Sequence, residues 1–252
     1  MKLPISVFII TQNEEKYIEK TLKSVSLFDE VILVDSGSTD STLDIAKRYG
    51  TKIYTHSWQG YAKQKQYAMS LCSNEWVLNL DGDEAINQNL IDAFEVILQQ
   101  DKADSVRFWR NDIFIDKPLS CWSKKSNHLR LYKKSKSFFD ASRLVHESAT
   151  VDGTEIFINE TFDHFGYGTI ETLTMKNNNY SSLKASEKFS KGKKFSNIKL
   201  FTIFPLAFIK EYFFQRKIFS GKRGLILAVI NAHYAFIKEA KLFENHQLNN
   251  KD

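Results

Sequence analysis

The 252-residue sequence holds only two cysteines, three prolines and ten glycines. Cys72 and Cys121 match no metal-ligand spacing and build no disulfide framework, which fits a reducing cytosol. So few prolines and glycines exclude a collagenous or low-complexity chain. No apolar run approaches the roughly 20 residues of a membrane-spanning helix. The stretch from Leu200 to Ile209 ends at Lys210 and Glu211, and that from Leu225 to Ile237 is also too short. No secretory signal is expected: Pro4 and Ser6 interrupt the opening apolar run, and Glu14 and Glu15 follow with no small-residue cleavage site. Internal repeats and low-complexity linkers are lacking as well. The expectation is a globular protein, soluble or peripheral on a membrane, with one large domain or a domain plus an appendage.

What the chain does contain is unevenly spread. Hydrophobic residues make up 42% and charged residues 26%, ordinary for a globular protein, and phenylalanine is abundant at 20 residues. From Met1 to Met175 there are 20 Lys/Arg against 25 Asp/Glu, whereas from Lys176 onward there are 15 against 5. An acidic first part and a basic tail imply different partners. The tail, where FFQRKIF, GKRGLI and AHYAFIKEAKLF interleave aromatics with Lys and Arg, suits either an anionic lipid surface or a helical packing face. No nucleic acid partner is expected, because no recognition fold is evident and the first part is acidic.

The first half alternates strand and helix signals. Apolar, β-branched runs at Ile5–Ile10, Val31–Val34, Lys52–Thr55 and Trp76–Leu80 read as strands. Helical spacing over Glu14–Val25, from a Ser38-Thr39-Asp40 cap to Tyr49, and over Tyr61–Leu71 separates them. This alternation predicts an α/β fold with a mostly parallel central sheet flanked by helices. A helix from about Asn87 to Gln99 follows, then strands at Ser105–Trp109, His128–Tyr132 and Leu144–Val145. After Gly168 the chain reads as helical. The predicted division is 1–167 and 168–252.

Ligands of open α/β sheets bind at the carboxyl ends of the strands, and polar motifs collect there. Asp81-Gly82-Asp83-Glu84 follows the apolar strand WVLNL. Carboxylates crowded this way repel one another unless a cation lies between them, and hard oxygen ligands suit Mg²⁺ or Mn²⁺ bridging a diphosphate. The competing reading is a solvated acidic turn, but behind a buried strand metal binding by Asp81 and Asp83 is favoured. Thr11, Asn13, Glu14 and Glu15 follow the first strand, as ligand contacts or as a helix cap with first-turn acids. Asp35, in VDSGSTDST, is positioned to accept hydrogen bonds from a ribose or base. Lys63 and Lys65 lie on the third helix, near the expected diphosphate or on a solvated face. Arg130, in HLRLY, would meet phosphate or support its strand. His128, His146 and His164 carry no assigned role.

ITQNEE, VILVDSGSTDST, GYAKQKQYA and LNLDGDE, in this order, resemble family-2 glycosyltransferases of the GT-A fold. The resemblance continues through HLRLY, LVHES, NETFDHFGYGTIETL and KNNNYSSLKA, a pattern similar to bacterial lipopolysaccharide inner-core β-1,4-glucosyltransferases. It implies that Glu14 and Asp35 contact the uridine of a nucleotide-sugar donor, with Thr11, Asn13 and Lys65 alongside. It implies that Asp81 and Asp83 hold the metal and diphosphate, and that Glu147 is the catalytic base of an inverting transfer. The implied reaction moves one sugar, glucose from UDP-glucose, to a lipid-linked saccharide such as the lipopolysaccharide inner core. The implied place is the cytoplasmic face of the bacterial inner membrane, with the protein bound peripherally. The Gln-x-x-Arg-Trp motif of processive relatives is missing, which speaks for single-sugar addition. Transfer to another cell-surface polysaccharide and non-catalytic nucleotide-sugar binding are the alternatives. A nucleotidyltransferase is disfavoured, because TQNEE is acidic and lacks the glycines of a phosphate loop.

Overall fold

A computed structural model describes residues 2–140 and 148–249. It divides into two compact units, Met1–Asn111 with Lys125–Phe165, and Asp112–Lys124 with Gly166–Asp252. The expected strand at Leu144–Val145 lies outside the described residues.

The first unit is built on a mixed sheet. Its centre is β1 (Leu3–Thr11), which runs parallel to β2 (Phe28–Asp35) on one side and β4 (Trp76–Asp81) on the other. β3 (Lys52–Thr55) adds to β2, again parallel. Beyond β4 the direction changes. β8 (Ser126–Lys133) pairs antiparallel with β4, and β6 (Ser105–Phe114) antiparallel with β8. β11 (Glu155–Tyr167) lies next to β6, and β5 (Glu84–Ala85) closes the edge antiparallel to β11. A separate pair joins β9 (Ser137–Phe138) to β10 (Thr150–Val151).

β1 is apolar at nearly every position from Ile5 to Ile10, Ser6 excepted, because both of its faces are buried. Its side chains alternate between two cores, as the period of two along a strand demands. Ile5, Val7 and Ile9 pack with Leu78, Leu80, Phe94 and Phe108, whereas Phe8 and Ile10 pack with Val77, Ala68 and Met69. α4 (Gln88–Gln100) shows how locally the sequence sets its ends. Asn87 caps it by accepting the Leu90 amide at 3.0 Å, Asp101 stops it in the left-handed region, and Leu90, Ile91, Phe94 and Ile97 form the buried stripe.

Two helices start later than their spacing predicts. α1 is confined to Ile18–Ser24 and α2 to Thr42–Arg48. In both cases the preceding residues are held across loops by distant side chains, as described below. α3 spans Tyr61–Ser70, as expected.

At the amino ends of the strands, Glu30 on β2 ties three of them together. It accepts Ser6 Oγ from β1, Lys52 Nζ from β3 at 2.7 Å and the Ser73 amide at 2.8 Å. Burial pushes its carboxyl up, but Lys52, Ser6 and Ser73 outweigh this and hold it at about 2 against the usual 4.5. A carboxylate depressed in the folded state stabilises the fold above its unfolded pKa and loses that contribution as pH falls through its folded value. Glu30→Gln is therefore expected to lose about 1.5–3 kcal/mol at neutral pH. In urea titrations at pH 7 and pH 3, the gap between wild type and variant narrows in acid. An equal gap at both pH values would contradict the assignment.

In the second unit, β7 (Lys117–Pro118) folds back on the end of β6, pairing Pro118 with Ile113. α5 (Ile170–Ser190) is capped by Thr169, whose Oγ1 accepts the Thr172 amide at 3.0 Å. α6 (Asn197–Ile209) passes into a π-helical turn over Lys210–Phe214, and α7 (Gly221–Asn249) completes the unit. Phe114, Leu173 and Leu227 form its small core. A β-carbon at Gly224 would lie 1.8 Å from the Lys217 carbonyl oxygen, so only glycine fits where α7 begins.

Candidate active site

The site is assembled where β1, β2 and β4 end side by side, Thr11 opposite Asp35 and Ile10 opposite Asp81. The loops after β1 and β2 clasp each other. Asn13, at φ 57°, donates its amide to Ser38 Oγ at 2.9 Å and accepts the Thr39 amide on Oδ1 at 2.8 Å. The Glu14 amide reaches Thr42 Oγ1 at 2.8 Å, and the Glu15 amide reaches Asp40 at 3.1 Å. Glu15 in turn accepts the Ser41 amide at 3.0 Å. Ser38 and Thr39 thus serve the clasp, while Asp40, one residue before the α2 cap Ser41, accepts the Thr42 amide at 3.0 Å.

Asp35 is buried, and its own loop engages it. Oδ2 accepts the amides of Gly37 and Ser38 at 2.9 and 3.0 Å, and Oδ1 accepts Ser38 Oγ. A turn of this kind is what a short acidic side chain builds on its own backbone. Thr11 is also buried, and its Oγ1 has no hydrogen-bond partner in the structure. Glu14 is half-buried and lies close to Gly82: a β-carbon there would meet Glu14 Cγ at 3.1 Å and Thr11 Oγ1 at 3.3 Å. Thr21 Oγ1 from α1 donates to the Gly82 carbonyl at 2.9 Å and fixes the acidic turn from below.

Asp81, about a third exposed, receives two cations. Lys65 Nζ stands 3.0 Å from Oδ1 and Arg130 Nη2 3.0 Å from Oδ2. Arg130 also pairs with the buried Glu84, whose Oε2 accepts the Asp81 amide at 3.0 Å. Burial pushes the Asp81 carboxyl up, but Lys65 and Arg130 outweigh it and hold it well below the usual carboxylate range. Burial raises Glu84, against the opposing pull of Arg130. Burial would also lower Arg130, but Glu84 and Asp81 raise it instead and keep it charged. Lys65 is therefore a buried partner of Asp81, whereas Lys63 is exposed.

Asp83 is turned to other neighbours. Its carboxylate Oδ2 lies 3.8 Å from His164 Nε2, and its carbonyl accepts the Phe165 amide at 2.8 Å. Among the described residues, no group of three or more His, Cys, Asp or Glu is placed to hold a metal by itself. Asp81 and Asp83 still offer hard oxygen donors at one strand end. That partial set fits Mg²⁺ or Mn²⁺, which complete their shells with substrate phosphates and water. Glu147, the expected base, and His146 lie outside the described residues.

The structure brings together Thr11, Asn13, Glu14, Asp35, Lys65, Asp81 and Asp83 around three adjacent strand ends. Arg130, Glu84 and Thr21 complete the arrangement without having been assigned from sequence. Arg130 left one trace, a charge set between Leu129 and Leu131 in a strand whose neighbours are all buried.

Residues 6–159 match the family described as Glycosyl transferase family 2. The chain is 37% identical over 253 residues to an uncharacterized glycosyltransferase of Rickettsia typhi, covering 95% of this chain and 87% of that protein. It is 32% identical over 255 residues to the lipopolysaccharide core biosynthesis glycosyltransferase LpsC of Rhizobium meliloti, covering 98% and 94%. The solved structure of Staphylococcus aureus TarS matches with a TM-score of 0.50 at 19% identity, over 97% of this chain and 54% of that one, and shares the fold. With its parallel strand ends, its acidic turn and these relatives, the chain belongs to glycosyl transferase family 2.

Proposed function

We propose that this glycosyltransferase moves one glucose from UDP-glucose, with inversion, onto a lipid-linked bacterial saccharide such as the lipopolysaccharide inner core. The observation that carries the reading is the Asp81-Gly82-Asp83 turn at the end of β4, beside the donor loops of β1 and β2. The relationship to LpsC, named for lipopolysaccharide core biosynthesis, supports the acceptor class. The protein works peripherally at the cytoplasmic face of the inner membrane, where such an acceptor is reached. The division of labour follows 1–167 for the donor and 168–252 for acceptor or membrane contact.

Each residue has a task in this reading. Thr11 Oγ1 and the Asn13–Glu14 backbone line the nucleotide. Asp35 reaches ribose or base by exchanging the Ser38 hydroxyl for one from the nucleoside. Asp83 and Asp81 would hold Mg²⁺ or Mn²⁺ at this strand end. When bound, the ion offsets the negative charge growing on the leaving UDP. Lys65 and Arg130 hold Asp81 ionised and aimed, so its charge is in place before the donor arrives. Glu147 takes the proton of the acceptor hydroxyl as its oxygen attacks the anomeric carbon opposite UDP.

Asp83→Asn tests the reading. UDP release from UDP-glucose is expected to fall about 10²–10³-fold at saturating Mn²⁺, with an unchanged urea midpoint. Wild-type turnover in the variant would remove Asp83 from the metal site. Wild-type protein turning over GDP-sugars but not UDP-glucose would overturn the donor assignment.

A further inference from the structure

We infer that α6 and the π-helical turn after it form an apolar wedge that lies in the plane of an anionic lipid surface and inserts into it. The inference deepens the lipid-linked-acceptor reading and rests on it. The residues that carry it all lie in the second unit.

A helix on a globular protein normally buries an apolar stripe and shows water a polar face. α6 does not. Its sequence, NIKLFTIFPLAFI, has one charged residue, and none of its side chains is buried. Leu200, Ile203, Ala207 and Phe208 are half-buried and make up its inner side. The outer side is apolar too: Ile198 is 78% exposed, Phe201 81% and Leu206 60%. Ile209, Phe213 and Phe214 continue this row through the π-helical turn, and Phe219 is exposed just beyond it. A contiguous exposed patch of this kind marks an interaction surface.

The charge around it names the partner. Lys193 and Lys194 precede the helix, Lys210 stands at its end, and Arg216 and Lys222 follow, all exposed. Three acids of this unit are already engaged. Glu211 pairs with Lys217 and accepts Asn231 Nδ2 at 2.9 Å, Glu239 pairs with Lys188 and Lys199, and Glu187 with Lys184 and Lys191. An apolar row fringed by unopposed positive charge complements a bilayer interface with anionic headgroups. A second copy of the same face would bring the two basic fringes together, which disfavours self-association. Among the described residues no helix is long and apolar enough to cross a membrane, so the wedge lies along the surface.

Apolar insertion and purely electrostatic adsorption differ in their response to salt. Lys217 pairs with Glu211, and Arg223 donates to the Phe114 carbonyl at 3.4 Å, so neither is an outward-facing anchor. The experiment uses full-length protein and vesicles of phosphatidylethanolamine and phosphatidylglycerol, sedimented at low and high salt. Wild type is expected to bind at low salt and to keep a substantial bound fraction at high salt. Phe201→Ser and Phe213→Ser are each expected to weaken partitioning about tenfold or more. A Phe201→Trp reporter, read as the difference from wild type, is expected to shift its emission to the blue with vesicles. Complete release of wild type by salt, an unshifted emission from the Phe201→Trp variant, or sedimentation equilibrium showing a lipid-free dimer that Phe201→Ser dissolves would each overturn the inference. UDP release from UDP-glucose is measured on the same samples. Loss of vesicle binding in Phe201→Ser with donor turnover retained supports the wedge, and vesicle binding by a protein without donor turnover counts against the transferase reading alone.

Discussion

Glu147→Gln is expected to bind UDP-glucose as tightly as wild type and to transfer its sugar about 10²–10⁴ times more slowly. The amide has nearly the shape of the carboxylate but takes no proton at neutral pH. The acceptor hydroxyl must therefore lose its proton to water as it attacks. In the proposed reading the donor is held elsewhere, by Thr11, Asn13, Asp35 and the acidic turn, so its affinity should not change. Calorimetry with UDP-glucose and single-turnover transfer separate the two effects. A collapse in donor affinity with normal residual turnover would make Glu147 a binding residue and move the base elsewhere.

Arg130→Met is expected to lower the unfolding free energy by about 3–5 kcal/mol, because it strands two carboxylates that one guanidinium now serves. Glu84 is buried, and its closest cation is Arg130. Asp81 keeps Lys65 but loses half of its compensation. Arg130→Lys should recover only part of the loss, since a single ammonium does not reproduce a planar fork. The double variant Arg130→Met, Glu84→Leu should be more stable than Arg130→Met alone, because it removes the stranded charge along with its partner. Urea midpoints decide the matter. If Arg130→Met unfolds at the wild-type concentration, the cluster does not hold this end of the sheet.

The first unit was largely legible because its signals are local. A strand buried on both faces is mostly apolar, and Ile5–Ile10 and Trp76–Leu80 are such runs, broken only by the buried Ser6 and Asn79. Family 2 membership and the GT-A fold, expected from four ordered motifs, are what the comparisons bear out. Helix starts were less legible. Glu14 and Glu15 have the spacing and charge of a first helical turn, but Thr42 and Asp40 take their amides from another loop. Ser38 looks like a cap, yet its hydroxyl serves Asp35 and its oxygen serves Asn13. The antiparallel half of the sheet is set by pairings between distant segments, which leave no period in the sequence. Lys65 reads from sequence as a donor contact or a lysine on a solvated helix face, and only its position over Asp81 reveals a buried ion pair.

The clasp between the loops after β1 and β2 has a thermodynamic consequence. The backbone amides of Asn13, Glu14 and Glu15 depend on side chains of the second loop, and those of Thr39 and Ser41 depend on side chains of the first. Neither loop opens without breaking the other's hydrogen bonds, so the pair fluctuates as one cooperative element with a single opening free energy. A ligand that orders either loop has already met the entropic cost of ordering its neighbour. Contacts made to the first loop and to the second are then coupled through the chain rather than through the ligand, and a small molecule touching only one of them stiffens both.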